Sequence, residues 1–128
     1  LNKKGNLPSG ETIEDLISIS KNYNCCGIIA ACVSPEIVNL AIPKLINQSL
    51  PFGFKVNAFK NIPENNALES DLKNNGYPTE RYGTIADKFN PEVFKKFVEG
   101  KFKDGATLLG GCCEIKPSHI KAISEIIS

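Results

Sequence analysis

Two helix starts written in the same grammar constrain this chain more than any other feature. Ser34-Pro35-Glu36 and Asn90-Pro91-Glu92 each combine an N-capping side chain, a proline suited to the first helical position and an acid suited to the positive helix end. The first follows directly on Gly27 to Cys32 (Gly-Ile-Ile-Ala-Ala-Cys), a continuous small and apolar run with the pattern of a strand covered on both faces. Strands that alternate with helices in this way imply parallel strands joined by helical crossovers.

The remaining elements fit that alternation. Ser9 as N-cap, with Glu11 and Glu14 in the first turn, predicts a helix from about Glu11 to Asn22. Ile37, Val38, Ala41 and Leu45 form the stripe of the next helix, which Pro43 should kink or end early. Phe52 to Phe59 alternates as a strand. Asn61 to Lys88 is rich in Asn, Pro and Gly and reads as a long loop, a kind of segment that is functional or disordered in compact domains. Val93, Phe94, Phe97 and Val98 give the following helix a core face. Ala106 to Leu109 predicts a short buried strand, with Gly110-Gly111 as a tight turn. The last helix starts at Pro117 and turns Ile120, Ile123, Ile126 and Ile127 inward.

The order is α-β-α-β-loop-α-β-α. Three strands cannot close a barrel, and an eight-stranded (β/α) barrel takes roughly 250 residues. The chain has 128. A flavodoxin-like open sheet is the other architecture, and it too wants more strands. The expected fold class is α/β, with residues 1–128 as a single partial domain. The polar start Leu1-Asn2-Lys3-Lys4 reads as an entry in mid-protein and not as a signal peptide.

Net charge is +1, with dispersed lysines and Arg81 the sole arginine, which speaks against a nucleic-acid partner. No apolar run approaches the roughly 20 residues of a membrane span. The cysteines are Cys25, Cys26, Cys32, Cys112 and Cys113, an odd number that includes two adjacent pairs. Reduced thiols in a cytoplasmic protein are expected, rather than a disulfide framework.

Cys32 ends one predicted strand, and Cys112 and Cys113 follow another. In a parallel sheet or barrel all strand C-termini open onto one face, so residues about 80 apart in sequence converge in space. Three thiolates around a point suit Zn²⁺ with one position left open. The competing reading makes Cys32 a small buried hydrophobe. Cys25 and Cys26 precede their strand, fall at its opposite end and are taken as structural.

Gly110-Gly111-Cys112-Cys113 followed by Pro117-Ser118-His119-Ile120 resembles the GGCC-x₃-P-x-H-I signature of the zinc-dependent homocysteine S-methyltransferases. Ala31-Cys32-Val33-Ser34-Pro35-Glu36 resembles their other cysteine segment. Leu7 to Glu11 is similar to their Gly-rich helix entry, and Val56-Asn57-Ala58 to their Pro-Asn-Ala-Gly segment. The resemblance runs in order along essentially the whole chain. It implies the C-terminal portion of a TIM barrel, strands six to eight with flanking helices. It also implies methyl transfer from a sulfonium, betaine or folate-type donor to homocysteine, giving methionine. Carried over, Cys32, Cys112 and Cys113 hold the zinc, homocysteine sulfur is its fourth ligand, and Asn57 contacts substrate. Ala31, Phe59, Glu114 and Lys116 depart from the family's Asn, Gly, Gly and Thr.

The remaining polar residues have blander readings. His119, the sole histidine, suits a helix-surface or packing role better than ligation or acid–base work. Tyr77, Arg81 and Tyr82 pack the loop or cover a substrate, and Glu64, Glu69 and Asp71 form a solvated cluster. Two competitors to the enzyme stand beside it: a non-catalytic zinc-binding protein, and a thiol redox module that would lack the usual C-x-x-C spacing.

Overall fold

A computed structural model of the chain describes residues 1–61 and 82–126. It is an α/β unit with helices α1 (Ile13–Ser20), α2 (Pro35–Leu45), α3 (Pro91–Lys103) and α4 (Pro117–Ser124). Strands β1 (Ile28–Val33), β2 (Phe52–Val56) and β3 (Leu108–Gly111) form one parallel sheet in the order β1-β2-β3. Tyr77, Arg81 and the Glu64, Glu69, Asp71 cluster lie outside the described residues. No described helix is long and apolar enough to cross a membrane.

The helix starts follow their local chemistry. Ser34 and Asn90 cap α2 and α3 through side-chain oxygens that accept the N–H groups of Ile37 and Val93. The cap of α1 is Thr12 rather than Ser9. Thr12 Oγ1 accepts from the Asp15 N–H at 3.1 Å, and Asp15 Oδ2 accepts from the Thr12 N–H at 2.8 Å. That reciprocal pair is stronger than a single hydroxyl cap, so the helix starts late. Pro43 neither ends nor shortens α2, which runs to Leu45; in the last turn its missing N–H removes one bond only.

The sheet's helix side is the core. Ile28, Ala30 and Val33 of β1 and Phe52, Phe54 and Val56 of β2 are buried with Ile37, Val38, Ile42 and Leu45 of α2 and Phe94 and Val98 of α3. Phe54 meets Phe97 edge to face with ring centroids 5.6 Å apart. Burying each such side chain contributes about 1.5–3 kcal/mol. Val93 and Ile120, expected inward, are exposed. On α4 the inward position beside Ile123 is taken by His119.

Among the described residues nothing covers the opposite face, unlike the expectation of strands covered on both sides. Ile29 is 49% exposed and Leu108 38%, and Ala31 and Lys55 lie on the same face. The outer edges of β1 and β3 carry no further strand among the described residues. All-parallel sheets are ordinarily covered on both faces, and this three-stranded parallel sheet is consistent with part of a (β/α)₈ barrel.

β2 and β3 end differently from the sequence expectation. β2 stops as a regular strand at Val56, where Asn57 Oδ1 accepts the Phe59 N–H at 3.2 Å in an Asx turn, although the Asn57 and Ala58 N–H groups still bond Val33 O and Cys113 O. β3 begins two residues late and includes Gly110 and Gly111, which pair with Lys55 and Val56 instead of turning. A Cβ on Gly111 would lie 2.2 Å from the Ile115 side chain, so glycine here serves close approach.

Candidate metal centre

Cys32 is placed by a defect in β1. Ala31 pairs with Lys55 and Val33 with Val56, leaving Cys32 as an extra, bulged residue. Its φ of 55° is left-handed, a conformation that costs a non-glycine residue about 1–2 kcal/mol. The bulge turns the side chain away from the core, and the residue is exposed. Cys32 is therefore not the packed hydrophobe that the competing reading required.

Cys112 and Cys113 are held by an extension of the β2–β3 ladder. The Cys112 N–H donates to Val56 O at 2.7 Å, and Cys113 O accepts from the Ala58 N–H at 3.1 Å. The adjacent Glu114 has φ 67°, and glycine is the residue that takes this conformation without penalty. Glu114→Gly is expected to raise stability by about 1 kcal/mol. Thermal unfolding with an unchanged metal content would show it.

The three sulfurs converge. Cys112 Sγ lies 3.2 Å from Cys32 Sγ and 3.9 Å from Cys113 Sγ, and all three fall within 4.8 Å of one another. Tetrahedral zinc with bonds of about 2.3 Å sets its sulfurs about 3.8 Å apart. The donor set thus fits zinc in type and spacing, and among the described residues no His, Asp or Glu joins it as a fourth ligand.

The electrostatics also fit a cation. Cys32 is exposed as a residue, but partial burial of its sulfur first, and then the neighbouring Cys112 sulfur, push the thiol up to about 12. Burial and the Cys112 charge raise Cys113. Burial also opposes the Cys112 anion, but hydrogen bonds from the Cys32 thiol and from the Cys113 amide and thiol outweigh it. With the Lys55 ammonium adding attraction, Cys112 ends below its ordinary value. Cys112 is thus the sulfur of the three that gives up its proton most easily, and a dication supplies the charge that three thiolates need.

Asn57 is 2% exposed where β2 ends, next to Ala58, which bonds Cys113. Its backbone N–H donates to Val33 O at 2.8 Å, and its Oδ1 is engaged in the Asx turn. His119 is 3% exposed and packs edge to face on Phe94, so the packing half of its expectation holds and the surface half does not. Cys25 and Cys26 precede β1, away from the cluster, and both are exposed. The Tyr82 ring meets that of Phe59 at a tilt of 55°, with centroids 5.6 Å apart. The bulge escaped the sequence reading, although buried positions Ile28, Ala30 and Val33 break the two-residue period where it occurs.

The homocysteine S-methyltransferase family profile matches residues 1–127. Homocysteine S-methyltransferase 1 of Brassica oleracea var. italica is 28% identical over 122 residues, which is 94% of this chain and 33% of that protein. The chain thus spans about one third of the length of the curated relative it matches. No solved structure matches it. Matched almost end to end, and with Cys32 brought to Cys112 and Cys113 by the fold, the chain belongs to the homocysteine S-methyltransferase family.

Proposed function

We propose that this chain is the zinc-carrying C-terminal part of a (β/α)₈ barrel enzyme of the cytoplasm. That enzyme moves a methyl group from a sulfonium, betaine or folate-type donor to the thiol of homocysteine, giving methionine. One observation carries the reading: three thiols from two strand ends meet within 4.8 Å, and no fourth protein donor joins them among the described residues. A structural zinc would be closed by four protein ligands, whereas an open position suits a substrate. The bare sheet face supports the barrel, since Ile29, Ala31, Lys55 and Leu108 would line its interior.

Cys32, Cys112 and Cys113 would hold the zinc, leaving the fourth position to the acceptor. Bound there, zinc would stabilise the homocysteine sulfur as a thiolate at neutral pH. The bulge at Cys32 and the ladder bonds at Cys112 and Cys113 keep the three donors preorganised, so no rearrangement accompanies substrate binding. Asn57 offers its amide N–H₂ group to the substrate while Oδ1 stays in the turn. The acceptor sulfur displaces the donor's leaving group in line, and no residue of this chain carries the methyl group.

X-ray absorption on the zinc-loaded full-length protein tests this. Added homocysteine is expected to raise the sulfur count at the metal from three to four. A metal shell that ignores homocysteine would overturn the open-site reading.

A further inference from the structure

Among the described residues, His119 is the one buried titratable side chain that the proposed chemistry does not use. Its Nδ1 accepts the Lys116 N–H at 3.1 Å, and its Nε2 donates to Phe89 O at 2.9 Å. Only the neutral ring with the proton on Nε2 can make both bonds.

These two bonds complete a circuit that begins and ends at the cysteine pair. Cys113 O accepts from Ala58 N–H at 3.1 Å, Ala58 O from Ile85 N–H at 2.9 Å, and Ile85 O from Phe89 N–H at 2.7 Å. Phe89 O then accepts from His119 Nε2–H, and His119 Nδ1 accepts from the Lys116 N–H. Ile115, next to Lys116, donates its N–H to Cys112 O at 3.1 Å. Every other link is backbone, and His119 is the only side chain in the circuit. The turn 112–116 is thus fastened to the sheet by Val56 and Ala58 and to the start of α3 by His119.

We infer that His119 is a positioning residue for the metal centre: by closing this circuit it fixes the turn that aims the Cys112 and Cys113 sulfurs at Cys32. The inference rests on the zinc reading for its consequence and on the hydrogen-bond circuit for its cause. His119→Phe keeps the ring against Phe94 but strands the Lys116 N–H and the Phe89 carbonyl. His119→Gln keeps an acceptor for Lys116, as a glutamine at the third helical position does in capping boxes. Phe94→Leu loosens the same α3–α4 packing and leaves the circuit intact.

The test measures Co²⁺ and Zn²⁺ affinity of the full-length protein and its three variants. It adds amide hydrogen exchange at Ile115 and Lys116 in the metal-stripped proteins. His119→Phe is expected to weaken metal binding by about tenfold or more. His119→Gln should recover part of the loss, and Phe94→Leu should match wild type despite its lower melting temperature. Exchange at both amides should speed up in His119→Phe alone. Wild-type protein that binds neither ion would sink the zinc reading, while exchange still decides the role of His119. Amides that stay protected in His119→Phe, or wild-type affinity in both His119 variants, would overturn the inference.

Discussion

Serine at Cys32, Cys112 or Cys113 is expected to empty the metal centre and abolish methyl transfer by the full-length protein. A serine hydroxyl does not ionise near neutral pH and binds zinc poorly, so each replacement removes one of the three proposed protein ligands. Structural zinc sites bind with about 10–16 kcal/mol shared over their ligands. The loss of one is therefore worth about 3–4 kcal/mol, a weakening of several hundredfold. Folding should be nearly untouched: Cys32 and Cys113 are exposed and Cys112 is only half-buried, so no core cavity forms. Cys25→Ser and Cys26→Ser, at the far end of β1, should retain metal and activity. Elemental analysis and methionine formation in the five variants decide the matter, and a cluster variant that keeps stoichiometric zinc would remove that cysteine from the ligand set. Acid should mimic the mutations. Each ligand must give up a proton to bind, and the raised Cys32 and Cys113 thiols recover theirs readily as pH falls, so metal is released on acidification.

What could be read in the residues alone was whatever is local or topological. The caps Ser34 and Asn90 act within three residues, so both helix starts came out in register. Convergence of Cys32 with Cys112 and Cys113 needed only parallel topology, because every C-terminal strand end opens the same way. Features set by distant neighbours were not legible. The bulge at Cys32 depends on how β1 registers against β2, and Gly110-Gly111 stays in β3 because it pairs with Lys55 and Val56 of β2. Apolar Ile29 and Leu108 wrote a covered strand into the sequence, yet the described residues provide nothing to cover their face. The burial of His119 also lay beyond sequence, since its partners Phe89 and Phe94 come from the other side of the α3–β3 unit.

The same substitution, glycine to alanine, is expected to act with opposite sign at two positions, and the contrast ties strand packing to the metal centre. Gly53 pairs with Leu108 across β2 and β3, and a Cβ there would sit 1.8 Å from Leu108 O and 2.5 Å from its carbonyl carbon. Those are backbone atoms of a strand, not the tip of a flexible side chain, so relief requires β3 to move bodily. β2 is the only strand that β3 pairs with among the described residues. Moving β3 breaks the ladder that continues through Cys112 to Val56 O and through Cys113 to the Ala58 N–H. Gly53→Ala should therefore cost about 3 kcal/mol or more, at the upper end of overpacking, and should lower metal affinity with it. Gly100 lies on the exposed side of α3, where a Cβ would meet nothing within 4 Å. There alanine removes the entropy cost of helical glycine and should stabilise by about 0.5–1 kcal/mol with metal binding unchanged. Urea unfolding and Co²⁺ titration of both variants measure the contrast. A Gly53→Ala protein as stable and as metal-competent as wild type would show that β3 is not pinned as tightly as this register requires.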